Sequence, residues 1–341
     1  ALMCGFVATA VFAQTSPTAA PERGQGLLPE PPVLTRAIGI VLDKFTASGA
    51  PKDGLYPSFG TRMPGSGWIA GGPGYRRHFL NNQLLLDVSG AVSWRQFAAA
   101  EGRIELPHLA SDRLTVGTQV LGQDWTQIKY YGPGQDSLRE NVSQYHMRAS
   151  DVAIYATLRP AGAIDLRVRA GMLSRPRISE ATGWHLRPYP NTQSLFSDTL
   201  APGLDAQPRF WHADVSATID TLDHPGHPTH GGLIQVAASA FRDRDLNQYS
   251  FQRAELVAIR FVPVVDNLWT VALRGTVVAS TTSGANQVPF YVLPSLGGQS
   301  LLRGFESDRF HDRNLIAFNL ESRWAVFAHL DAALFADFGE V

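Results

Sequence analysis

Residues 211–220 read WHADVSATID, and every second side chain is apolar. Trp211, Ala213, Val215, Ala217 and Ile219 share one face of an extended chain, and His212, Asp214, Ser216, Thr218 and Asp220 share the other. Successive side chains of a strand point to opposite faces, so this strict alternation reads as a β-strand with one apolar and one wet face. The pattern recurs along the chain. In 164–171, Ile164, Leu166, Val168 and Ala170 oppose Asp165, Arg167, Arg169 and Gly171. In 84–95, Leu84, Leu86, Val88, Val92 and Trp94 oppose Asp87, Ser89, Ser93 and Arg95, and segments 151–159 and 269–276 behave alike.

A soluble sandwich also alternates, so two further details direct the reading to a membrane barrel. The polar face carries full charges, as a water-filled lumen permits. Trp94, Trp125, Trp211, Trp269 and Trp324 stand where strands start or end, as an interfacial aromatic girdle requires. In lipid every backbone polar group must be paired internally, and a closed barrel is the one strand architecture that achieves this. Connections also alternate in length. Pro107–Asp112, Pro160–Ala163, Pro263–Asn267 and Ala328–His329 are short, whereas about 131–144, 179–209 and 281–312 are long. The expected fold is therefore all-β, a transmembrane antiparallel β-barrel. About thirteen strands are expected in this stretch and about 16 in a full protein, with C-terminal strands following Val341.

The 341 residues are 44% hydrophobic and 17% charged, with a net charge of −1. The charged share is below that of ordinary globular chains, and no basic patch suggests a nucleic-acid partner. The single cysteine, Cys4, lies in LMCGFVATAVFA, an apolar run of signal-peptide length ending in the cleavage-like Val11-Phe12-Ala13. Met3 before Cys4 does not suit a lipoprotein signal, and a mature chain beyond this segment holds no disulfide. No initiator Met or basic n-region precedes it, so a truncated start is expected. The expected organisation is a partial signal peptide over 1–13, a linker or short periplasmic segment over 14–53 and the barrel over 54–341. The linker is rich in Pro, Ala and Gly over 14–35, and 34–46 could form a short helix. No apolar run reaches the ~18 residues of a spanning helix.

Two stretches carry a family resemblance. Residues 220–232 read DTLDHPGHPTHGG, in which Pro225 and Pro228 stiffen a turn and Gly231-Gly232 permits positive φ at strand re-entry. This resembles the aspartate-proline-threonine-glycine turn between barrel strands of the BamA/TamA superfamily of outer-membrane assembly factors, also called bacterial surface antigens. Asp220, Asp223, Pro225, Pro228 and Gly231 are its candidate periplasmic-turn residues here. Residues 290–305 read FYVLPSLGGQSLLRGF, and Leu302-Arg303-Gly304-Phe305 is similar to the family's V/I-R-G-F/Y motif, with Leu302 in place of the usual Val or Ile. The resemblance implies that the sixth extracellular loop folds back into the lumen. There Arg303 would pair with Glu321 of NLESRW and Asp337 of FADFGEV, on the next two strands.

The residue pattern agrees with that placement. Phe318, Leu320, Ser322 and Trp324 alternate against Asn319, Glu321 and Arg323; Ala332, Leu334, Ala336 and Phe338 alternate against Ala333, Phe335 and Asp337. A guanidinium fork between two carboxylates forms charge-assisted bonds of fixed geometry. The expected loop lock therefore comprises Arg303, Gly304, Phe305, Glu321 and Asp337. The resemblance covers about 54–341 and is strongest from 210 onward. Assembly factors of the family carry periplasmic POTRA domains before the barrel. Segment 14–53 is too short for one, so a POTRA-less form is expected.

Other chemistry finds little support. His224, His227 and His230, with Asp220 and Asp223 nearby, could ligate zinc, but they stand in the turn already described. No G-x-S-x-G elbow occurs, and Gly71-Gly72-Pro73-Gly74 lacks the lysine of a phosphate loop and reads as a strand bend or bulge. Ser216 and His212 are too far apart along one strand to bond directly. Neither enzyme activity nor a cofactor, a metal, a nucleic acid or a small-molecule substrate is expected. The implied partners are outer-membrane lipid and unfolded outer-membrane proteins in a Gram-negative cell. The resemblance implies protein insertion or translocation through a lateral gate, where an exposed strand edge templates the incoming strand. The competing readings are a structural or pore-forming barrel with no assembly role, and a secreted soluble β protein.

Overall fold

The computed structural model describes residues 27–28, 53–59, 70–224, 226–299, 301–327 and 330–341. The signal-like segment 1–13, the short helix expected over 34–46 and Pro225 lie outside the described residues.

The chain forms β1 (Gly54–Phe59), β2 (Ala70–Phe79), β3 (Leu84–Ser93), β4 (Ala98–Leu109), β5 (Leu114–Tyr130), β6 (Ser143–Ala161), β7 (Ile164–Leu173) and β8 (Arg177–Ser179). It continues through β9 (Phe210–Asp220), β10 (Gly231–Asp243), β11 (Phe251–Val265), β12 (Trp269–Thr282), β13 (Ser295–Leu296), β14 (Phe310–His311), β15 (Asn314–Phe327) and β16 (Leu330–Glu340). Fourteen strands make one antiparallel sheet, an up-and-down meander from β1 to β16. β8 alone lies off the path, extending the line of β7 along the upper part of β6. β13 and β14 pair with each other inside the long loop before β15. Among the described residues no helix is long and apolar enough to cross a membrane.

The faces are inverted relative to a soluble protein. On β9 the apolar Trp211, Val215 and Ile219 are 49%, 53% and 47% exposed, while His212 and Thr218 are buried. The same holds for Val168 beside Arg169 on β7 and for Val88 beside Asp87 on β3. An apolar outer wall with charges within is stable where the surrounding solvent is hydrocarbon and the interior holds water or paired charges. Several of the interior charges are paired. His212 lies between Asp151 (2.7 Å) and Asp214 (3.0 Å), and Arg169 reaches Asp214 at 3.0 Å. Arg103 faces Asp87 at 3.2 Å and Glu101 at 3.4 Å.

Trp94, Trp211, Trp269 and Trp324 face outward near strand ends, and Trp269 stacks on its register partner Trp324 at 6.3 Å. Trp125 departs from the girdle expected of it. It is buried among Phe97, Ile128 and Met147, because alternation from the outward Val116 and Val120 places odd-numbered positions of β5 in the lumen. The strand bend or bulge expected at Gly71–Gly74 brings no register shift between β2 and β3. Instead the backbone of Gly90 approaches so closely that a Cβ on Gly72 would lie 2.2 Å from its carbonyl oxygen.

The largest apolar core fills the lumen at the long-loop mouth. Tyr130, Tyr145, Phe210, Phe241 and Phe251 point inward from the walls and meet Phe290 and Tyr291 of the loop after β12. At the opposite mouth, the backbone N–H groups of Leu27 and Leu28 donate to the carbonyls of Ala325 and Val326 at 2.8 and 2.9 Å.

Candidate functional site

The connection between β12 and β15 leaves the wall, turns inward and rests on the lumen faces of β12, β15 and β16. Two glycines permit the reversal. Gly297 and Gly298 have φ of +131° and +80°, and a Cβ on Gly297 would lie 2.2 Å from the Glu306 carbonyl oxygen. Leu296 and Leu302 then pack on Val278, Leu315 and Ala317, which face inward from β12 and β15. Leu296 lies directly over Gly339 of β16, where a Cβ would approach its Cδ2 to 2.7 Å.

Arg303 descends beside this apolar footing. Its Nε and Nη2 donate to the two oxygens of Asp337 at 2.9 and 2.7 Å, and its backbone N–H donates to Asp337 Oδ2 at 2.9 Å. Nη1 donates to Glu321, which also accepts from Arg323 Nε at 2.5 Å. The guanidinium plane lies 3.7 Å from the ring centroid of Phe335. β15 and β16 set these positions: Asn319 is opposite Asp337 and Glu321 opposite Phe335, all on the lumen face. Asn319 completes the site, donating to Asp337 at 2.9 Å and to the Leu301 carbonyl at 2.8 Å. The structure thus brings Arg303, Glu321 and Asp337 together. Phe305 is half exposed and packs edge-on to Phe310 at 5.3 Å, and a Cβ on Gly304 would meet nothing within 4 Å.

Comparison with known proteins places this geometry. A model of the Omp85 superfamily domain matches residues 189–341, a span that includes the 220–232 turn, the Arg303 loop and both acids. Over that span the chain is similar to the Omp85 superfamily domain. The fold is similar to that of BamA from Haemophilus ducreyi lacking POTRA domains 1–3, with a TM-score of 0.64 at 15% identity over 86% of this chain and 58% of that one. CdiB from Acinetobacter baumannii aligns over 84% of this chain and 48% of its own, at 12% identity and a TM-score of 0.45. The chain thus spans about half to three fifths of these structures. No curated protein matches it in sequence.

Within the matched span, the turn between β9 and β10 is held by its acids. Asp220 accepts the Leu222 N–H at 2.9 Å. Asp223 accepts the N–H groups of His224 and Thr229, each at 3.0 Å, and the Thr229 hydroxyl at 2.5 Å. Gly231, at φ +95°, lies so near Thr221 that a Cβ would fall 2.0 Å from its carbonyl oxygen. Pro228 is buried in the turn. Of the three histidines, His227 bonds Asp331 at 2.5 Å, and no group of three or more metal-capable side chains converges among the described residues.

Several residues that hold the inward loop carried no sequence signal. Glu306 pairs with Lys129 at the end of β5 and accepts the Tyr131 hydroxyl at 3.1 Å. The Lys129 ammonium, which outweighs partial burial, holds the Glu306 carboxyl below its ordinary value. Arg309 donates to the hydroxyl and the carbonyl of Ser137 at 2.9 and 2.6 Å, and Arg253 donates to the Val292 carbonyl at 2.6 Å. These contacts join segments up to 177 residues apart, beyond any local periodicity. Asn319 was more accessible to sequence reading, because it shares the lumen parity of Glu321.

Proposed function

We propose that this protein is an outer-membrane barrel that assists insertion or translocation of other outer-membrane proteins, with unfolded barrel clients and the surrounding lipid as its partners. The observation that carries this reading is the inward-folded loop in the span similar to the Omp85 domain, fixed to β15 and β16 through Arg303, Glu321 and Asp337. That contact braces the strands nearest the C-terminal end of the meander while leaving their outward faces free. A lateral gate in the wall of such a barrel would offer a strand edge to an incoming strand.

An open-channel role is less well supported. Phe290, Tyr291 and their wall partners form one apolar cluster at the long-loop end, an unfavourable lining for free ion passage. The test is reconstitution of the purified barrel in liposomes with an unfolded client barrel. Faster client folding than in empty liposomes supports the proposal. Ion conductance without such acceleration selects a pore and overturns it.

A further inference from the structure

The outer wall of β6 to β10 ends, on the long-loop side, in a sector of arginines. On β9 the outward series Ile219, Ala217, Val215, Ala213 and Trp211 continues to Arg209, and on β10 the series Ile234, Val236, Ala238 and Ala240 continues to Arg242 and Arg244. Arg242 is the register partner of Trp211, and the Arg244 N–H donates to the Arg209 carbonyl at 3.0 Å, extending the ladder by one step. The Arg244 guanidinium lies 4.9 Å from the Trp211 ring centroid. On β6 and β8, Arg148 and Arg177 are register partners, and both are exposed on the same outer face.

Carboxylates neutralise only part of this charge. Asp124 takes Arg148 at 2.8 Å, and Asp245 takes Arg209 at 2.7 Å and Arg175 at 3.3 Å. Arg177, Arg242 and Arg244 have no carboxylate within ion-pair distance among the described residues. The sector is also local: at the same end of β11 and β12 the exposed outer positions are Gln252 and Thr281, without charge.

We propose that this sector binds the phosphate groups of lipid headgroups in the leaflet on the long-loop side. The inference rests on the membrane-spanning reading of the barrel. The arginines begin where the apolar wall ends at an interfacial tryptophan, which is the depth of headgroups. A guanidinium fork matches phosphate oxygens bidentately, and anionic headgroups at a low-dielectric boundary complement cations that lack a carboxylate partner.

The test is native mass spectrometry of the detergent-solubilised barrel titrated with diphosphorylated lipid A, with the same glycolipid stripped of phosphate, and with inorganic phosphate as competitor. Arg177→Gln/Arg242→Gln/Arg244→Gln is compared with the parent and with Arg260→Gln, an exposed arginine near the opposite end of the wall on β11. The expected result is at least tenfold preference for the phosphorylated glycolipid. Each arginine is expected to contribute roughly fivefold, so the triple variant loses roughly a hundredfold, while Arg260→Gln stays near the parent. Equal binding of the two glycolipids, or parental binding by the triple variant, overturns the proposal. Displacement by inorganic phosphate does so too, by revealing a site for soluble anions. A heat-modifiability gel on each protein separates the two readings: a parent without the shift refutes the barrel itself, whereas a shifted parent that ignores phosphate refutes only the lipid site.

Discussion

Arg303→Ala removes three side-chain hydrogen bonds, two to Asp337 and one to Glu321, together with the stack on Phe335. Breaking a buried pair by truncating one partner costs about 3–5 kcal/mol. Two features place this site at the low end. Arg303 and Glu321 keep about a fifth of their side-chain surface in water, and Asp337, only 5% exposed, retains the bonds from Asn319 and from the backbone N–H of residue 303. The expected loss is therefore about 3 kcal/mol, borne by the loop-to-wall contact rather than by the strand ladder. At about 1.4 kcal/mol per decade, the open state of the loop becomes roughly a hundredfold more populated. Limited proteolysis of the folded barrel reads this directly, because cleavage follows the open population when closing is fast. Cleavage within 283–313 should accelerate by about that factor, with a lower temperature for the heat-modifiability shift. Arg303→Lys should recover only part of the protection, since an ammonium cannot span both carboxylates as a fork does. A loop that is cleaved at the parental rate, in a barrel of parental melting temperature, would refute the lock.

Gly339→Val should have a similar effect from the opposite side, since Leu296 occupies the space that the new side chain needs and is itself buried. Overpacking of this kind costs about 1–3 kcal/mol, and loop proteolysis with strand ladders intact would show it. Val215→Arg, at the middle of the outward face of β9, should cost about 2–4 kcal/mol in a bilayer. Insertion into liposomes should fail or slow, and undiminished insertion would mean that this face does not meet lipid. The Lys129–Glu306 latch should depend on pH. The Glu306 carboxyl is held below its ordinary 4.5, so its contribution is present above that value and is lost as pH falls through the lower, folded value. Loop cleavage should therefore rise on acidification, and Glu306→Gln should be open at every pH and lack the step.

Alternation is written into each strand by covalent geometry, so it could be read locally. Residues 211–220 define two faces whatever they pair with, and the charges on one face already suggest which side is wet. Chain punctuation likewise separates short turns from long loops. Arg303, Glu321 and Asp337 were legible because motif and parity agreed on all three. Trp125 shows the limit of reading residue type without phase: a tryptophan near a strand end suits a girdle, but its odd position on β5 turns it into the lumen. The latch of Glu306 on Lys129, the clamp of Arg309 on Ser137 and the arginine sector on β6 to β10 had no such signal. Each brings together residues far apart in the chain, and a net charge of −1 conceals any local surplus. Strand identity and most of the facing thus follow from the sequence alone, because they depend on period, whereas the central arginine was picked out by the family resemblance of its motif. Which loop rests on which wall, and which arginines share one patch of surface, depends on inter-strand register. That register exists only once distant segments have paired.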